Sequence, residues 1–64
     1  MPKHSKRGVP DIILIHQAQF VGLEVKRADG RLSPDQKEFQ VGCEAHGGRY
    51  HVVRSIDDVQ ALGL

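Results

Sequence analysis

Sixty-four residues make one domain, and a chain of that size buries only about 60% of the surface it exposes when unfolded. Cys43 is the only cysteine, which rules out a disulfide within the chain and suits a reducing, cytoplasmic setting. No apolar run approaches the roughly 20 residues of a membrane span, and no signal-type apolar segment follows the basic opening MPKHSKRG, so no membrane partner is expected.

The net charge of +1 conceals a division. Residues 1–32 hold six of the nine Lys and Arg against three of the eight Asp and Glu, a local balance of +3; residues 33–64 hold three against five, a balance of −2. A basic front half suits a polyanion touched by one face. Ordinary solubilising charge reads equally well from the count alone.

Residues 1–9 lack apolar periodicity and read as a basic arm; residues 10–64 read as the folded domain. DIILIHQ, Asp11–Gln17, is a short β-branched run and predicts a well-buried strand. A tight connection over Gln17–Gln19 leads to FVGLEVK, Phe20–Lys26, a second strand, and the short link predicts an antiparallel hairpin. Alternation puts Val21, Leu23 and Val25 on one face and Phe20, Gly22, Glu24 and Lys26 on the other.

RADGR turns the chain at Asp29-Gly30, a pair that tolerates positive φ. Ser33 is placed to cap a helix, with Pro34 at its first position and Gln36 where a capping box puts Glu or Gln. Gln36, Phe39, Gln40 and Cys43 then share a face by i, i+3, i+4 spacing, and Gly47-Gly48 ends the helix. RYHVVRS is a third strand. Ser55, with Asp57 and Asp58 behind it, opens a last short helix through Val59 and Leu62. The fold class is α/β with the order β-β-α-β-α, read as a single α/β layer pair.

Glu24 and Lys26 raise the functional question: opposite charges two apart on a strand of a chain with little interior. Their side chains share a face about 7 Å apart at Cα. Between them the Val25 carbonyl lies beside the same spot. Asp11 falls roughly opposite this end if the hairpin closes near Gln17–Gln19. Two carboxylates, a carbonyl and an ammonium are the oxygen donors and the charge that a hard divalent cation such as Mg²⁺ or Mn²⁺ uses in phosphodiester hydrolysis.

GVPDIILI followed by GLEVK resembles the G-x-P-D … E-x-K signature of the PD-(D/E)xK nuclease superfamily. GRLSPDQKEFQ and GGRYHVVRSIDDV are more particular, and with them the chain resembles the VRR-NUC (virus-type replication-repair nuclease) family from about Gly8 to Leu62. That resemblance implies a minimal restriction-endonuclease-like core, with Asp11 and Glu24 as metal ligands, the Val25 carbonyl beside them and Lys26 as the catalytic lysine. It also implies that Gln36 faces the site and orients the lysine or water. The implied activity is metal-dependent cleavage of branched DNA, of four-way-junction or flap type, by a homodimer in a bacterial or phage-infected cell. Such domains usually begin with a helix carrying a further glutamate; only nine non-acidic residues precede Pro10, so a core apparently lacking that helix is expected.

Blander readings stand beside these. Glu24 and Lys26 also fit an exposed ion pair on a strand, Asp11 a turn acid, and Gln36 a capping residue. Lys6, Arg7, Arg27 and Arg31 are the candidate DNA contacts, and for Lys6 and Arg7, with Lys3 and His4, a solvated tail is the alternative. Cys43 and His46 form a C-x-x-H pair, but a structural zinc site needs about four ligands, so packing and a helix-end contact are expected. His16 and His51 read as structural, and Asp57 and Asp58 as capping acids. The functional alternatives are a catalytically silent remnant that binds DNA or protein, and a domain of a larger helicase or nuclease.

Overall fold

The computed structural model describes residues 8–64. Its elements run β1 (Ile12–His16), β2 (Gln19–Val25), α1 (Pro34–Ala45), β3 (Arg49–Val53) and α2 (Ile56–Ala61), the order the sequence predicts. The strands form one sheet in the order β1-β2-β3. β1 and β2 pair antiparallel, Ile12 with Leu23 through His16 with Gln19. β2 and β3 pair parallel, Val21 with Arg49 through Val25 with Val53, with α1 as the crossover.

The hairpin turn consists of Gln17 and Ala18, both at positive φ (52° and 64°). Such a two-residue turn follows the right-handed twist of the flanking strands, and it is unusual here in using no glycine or asparagine. Asp29 and Gly30 do not adopt positive φ. The chain instead bends through an ordinary turn in which Gly30 N–H donates to the Arg27 carbonyl at 3.0 Å.

Both capping readings hold. The Ser33 hydroxyl accepts from Gln36 N–H at 3.2 Å while the Gln36 carboxamide oxygen accepts from Ser33 N–H at 2.8 Å, closing the capping box. At the other end Gly47 (φ +86°) is left-handed, its N–H donating to Glu44 and that of Gly48 to Cys43, a Schellman ending. Ser55 caps α2 by accepting from Asp58 N–H, and the Asp58 carboxylate accepts from Arg54 N–H at 2.7 Å.

The helices lie on opposite faces of the sheet, so the single layer pair is corrected to helix, sheet, helix. Val21, Leu23 and Val53 are buried on one face and receive Leu14, Val59 and Leu62, which brings α2 to that side. Glu24 and Tyr50 project from the other face, and α1 meets them through Gln36 and Phe39; the Phe39 and Tyr50 rings stand 6.0 Å apart. Gln36, Phe39, Gln40 and Cys43 are half-buried, as their spacing requires.

One burial expectation fails. β1 is not well buried: Ile12, Ile13 and Ile15 are 47%, 53% and 67% exposed. Val25, on the same face as buried Val21 and Leu23, is also exposed. Both helices pack against β3, at the opposite edge from β1. An apolar run reports what a strand prefers to bury, and the topology decides whether anything is there to cover it.

Candidate active site

Glu24 is the buried acid of the fold, 4% exposed in the middle of the sheet. Both carboxylate oxygens have partners. Oε2 accepts from Gln36 Nε2 at 3.1 Å and lies 3.7 Å from Lys26 Nζ. Oε1 accepts from the Tyr50 hydroxyl at 3.4 Å. Glu24 and Lys26 therefore share a face, as alternation predicts. Lys26 lies just past β2 but keeps the ladder, its N–H donating to the Val53 carbonyl at 3.0 Å.

Gln36 holds the cap and the site together. Its oxygen is taken by Ser33 N–H, so the end that reaches Glu24 is the donor. The capping and site-facing readings coexist because the amide has one acceptor end and one donor end.

Asp11 lies one residue before β1, opposite Glu24 when the register is continued by one step. Its Oδ2 accepts from Val25 N–H at 3.0 Å, which ties the two segments at the end of the hairpin. Pro10 sets its approach. The ring lies over Gly22, where an added Cβ would come within 2.6 Å of Pro10 Cγ, so only glycine admits it. In a strand the N–H and C=O of one residue point to the same side. The Val25 carbonyl therefore faces the Asp11 edge, beyond the last β1 ladder pair.

The two acids lie close enough to act on each other. The Glu24 carboxyl is pushed above its usual range, first by burial, then by repulsion from Asp11. The Lys26 ammonium and the Tyr50 hydroxyl act the other way. Burial and the Glu24 charge push the Tyr50 phenol up to about 12, so it remains a donor. Ionised Glu24 is accordingly under strain: its contribution to stability is greatest below the ordinary carboxyl value and declines as pH rises through the folded one.

Where β1 and β2 end, Glu24 thus has Lys26 beside it and Asp11 near enough to repel it, and the two acids offer oxygen donors. Among the described residues no three His, Cys, Asp or Glu side chains converge. The protein offers two carboxylates and an edge-facing carbonyl, a set that fits a hard cation completing its shell with water and phosphate.

The profile of the VRR-NUC domain matches residues 2–57, nearly the whole chain, and takes in Asp11, Glu24, Lys26 and Gln36. The chain belongs to the VRR-NUC domain family. No curated protein and no solved structure matches it. Membership gives this VRR-NUC domain a nuclease-type function, with DNA as its substrate class.

Of the candidate DNA contacts, Arg27 and Arg31 are exposed on the loop leaving the site, while Lys6 and Arg7 lie outside the described residues. Two contributors were invisible in the sequence of the VRR-NUC domain. Tyr50 reaches Glu24 from 26 residues away. Arg54 donates to the Arg27 carbonyl at 3.2 Å and to the Gly30 carbonyl at 2.8 Å, bracing the turn between Lys26 and α1. Their spacing in GGRYHVVRS marks a strand and nothing about its distant partners. Cys43 and His46 serve the helix end: the thiol donates to the Arg49 carbonyl and the ring nitrogen Nδ1 to that of Gly42.

A concavity of about 550 Å³ lies elsewhere, lined by Phe20, Asp35, Phe39, Cys43, His46 and Gly48 among others, and includes none of the four site residues.

Proposed function

We propose that this VRR-NUC domain is a Mg²⁺- or Mn²⁺-dependent endodeoxyribonuclease of PD-(D/E)xK type that hydrolyses phosphodiester bonds in branched DNA, with two copies acting together. The observation that carries the reading is buried Glu24, 3.7 Å from the Lys26 ammonium and crowded by Asp11. Burying a carboxylate against a second one is unfavourable for a purely structural purpose. A bound divalent cation removes that repulsion.

Asp11, Glu24 and the Val25 carbonyl would hold the cation, whose chemistry is to lower the pKa of bound water and neutralise charge on the phosphate. Lys26 then supports the attacking water and offsets negative charge that builds on the phosphorus. Gln36 and Tyr50 keep the Glu24 carboxylate fixed, so the reacting groups need little reorganisation. Arg27 and Arg31 hold flanking phosphates, which makes binding weaken as salt rises.

A second reading, a silent DNA-binding remnant, is favoured by the absence of a third metal-ligating side chain among the described residues. Incubating the chain with four-way-junction, flap and linear duplex DNA, with Mn²⁺ or with EDTA, separates the two. Cleavage that requires the metal and disappears in Lys26→Ala supports the enzyme. Binding without cleavage at every metal concentration supports the remnant.

A further inference from the structure

Arg54 spends one edge of its guanidinium on the fold and keeps another. The group carries its N–H donors in a rigid plane. Along one side of that plane the N–H of Nε and one N–H of Nη2 run together, and this edge is taken. Nε donates to the Arg27 carbonyl at 3.2 Å and Nη2 to the Gly30 carbonyl at 2.8 Å. At the end of the group, one N–H of Nη1 and the second N–H of Nη2 run parallel. That end edge has no acceptor among the described residues. Parallel N–H pairs of this kind match two oxygens of a carboxylate or a phosphate.

The charge is unanswered as well. Carbonyl oxygens satisfy donors without neutralising a cation. Among the described residues no carboxylate comes within ion-pair distance of the Arg54 guanidinium, and residues 1–7 contain no Asp or Glu. Asp58 is engaged with the main chain instead, accepting from Arg54 N–H at 2.7 Å in the first turn of α2. Asp29 and Asp57 are exposed and make no ion pair with it. An anion for the end edge therefore has to come from outside residues 1–64.

The position of the group says which anion. Val25 pairs with Val53, and Lys26 N–H donates to the Val53 carbonyl at 3.0 Å, so continuing the register by one step sets Arg54 alongside Lys26. Gly30 joins the two: a Cβ added there would lie 3.3 Å from Lys26 Cβ, while its carbonyl holds Arg54 Nη2. The unused edge thus belongs to a cation fixed beside the lysine of the site.

We propose that Arg54 binds a DNA backbone phosphate close to the one at Lys26, its end edge gripping two phosphate oxygens while its side edge stays on the turn. This rests on the nuclease reading above for its ligand and adds to it a contact that is ordered before DNA arrives. Arg27 and Arg31 make no side-chain bond among the described residues, so each loses rotamer freedom on binding, whereas Arg54 has already lost it in folding. A phosphate contact sets the register of the strand and reads no sequence.

The salt dependence of binding tests this, measured in EDTA so that cleavage plays no part. Each phosphate contact on duplex DNA contributes about 0.9 to the slope of log affinity against log salt. Arg54→Gln is expected to lower the slope by about that amount. It should also weaken binding roughly tenfold, the size of one hydrogen bond to a charged group, alike on duplex and four-way-junction DNA. Arg54→Lys retains the charge, cannot hold both carbonyls, and is expected to keep the native slope. If Arg54→Gln does not fold, NMR of the native chain decides: duplex DNA is expected to shift the Arg54 Nη signals, and inorganic phosphate at the same phosphate concentration to leave them in place. The proposal is overturned by an unchanged slope in Arg54→Gln, by Nη signals that ignore DNA, or by an equal shift with inorganic phosphate. An equal loss of slope in Arg54→Lys also overturns it, since the arginine would then act through the turn alone. Metal-dependent cleavage with an unchanged slope in Arg54→Gln leaves the nuclease reading standing without this contact. A lost slope in a chain that never cleaves leaves the contact standing without the nuclease.

Discussion

Gln36 has one amide group and two partners that require opposite ends of it. Gln36→Glu keeps an acceptor for Ser33 N–H, and so keeps the capping box, but turns the donor facing Glu24 into a second acceptor. The expected loss is about 1–3 kcal/mol, the range for leaving a buried acceptor unpaired. Ser33→Ala does the reverse and should cost about 1 kcal/mol as a lost cap. Urea denaturation of both variants checks this. If Gln36→Glu is no less stable than Ser33→Ala, Gln36 is a cap and little else. His51 gives the residue scale a pH dependence. Burial, and then the Arg49 charge, lower its value from 6.5, with Glu44 opposing, and Arg49 Nε donates to its Nε2, which requires a neutral ring. The depressed value means that the stabilising contribution is complete above 6.5 and is lost as pH falls through the folded value. Melting temperature should therefore fall between pH 7 and pH 5 more steeply in the native chain than in His51→Gln; parallel profiles would remove His51 as the cause.

At the scale of elements, what the sequence disclosed and what it withheld divide by distance along the chain. The caps at Ser33 and Ser55, the stop at Gly47-Gly48 and the pairing of Glu24 with Lys26 involve residues within five positions of each other, and local sequence patterns find them. Asp11 was reachable too, because a hairpin turns sequence distance into register. Tyr50 and Arg54 depend on a parallel crossover that brings together residues 24 to 27 positions apart, and no local pattern encodes that. The exposure of β1 was missed for a related reason: the run IILI states a preference for burial, whereas the side on which helices pack is a property of the whole topology. Arg54 is the element-scale test. It ties the Arg27–Gly30 turn to the end of β3, and that turn carries the chain from Lys26 to Gln36. Arg54→Ala should destabilise by about 1 kcal/mol, at the low end for a charged hydrogen bond because the group is exposed. Its larger effect should be local, with amide exchange over residues 27–33 accelerated while β2 and β3 stay protected. Uniform acceleration across the sheet would make Arg54 a global support.

At the scale of the whole molecule, a domain this small has few sources of stability, and its interior holds a carboxylate pressed by another. The buried core among the described residues is small, consisting of Val21, Leu23, Tyr50 and Val53 with Pro10 beside them. Set against so small a core, the repulsion between Asp11 and Glu24 works against a marginal total. A cation that binds the folded chain and not the unfolded one stabilises it by mass action, about 1.4 kcal/mol at ten times its dissociation constant. For a domain of this length that corresponds to a rise of about 5–10 °C in melting temperature. Mn²⁺ or Mg²⁺ should produce the rise near pH 7.5, EDTA should reverse it, and Ca²⁺, another hard oxygen-seeking ion, should produce it in part. Asp11→Asn and Glu24→Gln should each abolish the response while raising or preserving the melting temperature without metal, because each removes one of the two repelling charges. Lys26→Ala should retain the response, since the lysine lies beside the cation without ligating it. A thermal scan needs no substrate and no turnover, so it reads the carboxylate pair independently of cleavage. An unchanged melting temperature in the native chain, or an equal shift in Asp11→Asn, would mean that the two acids do not share an ion.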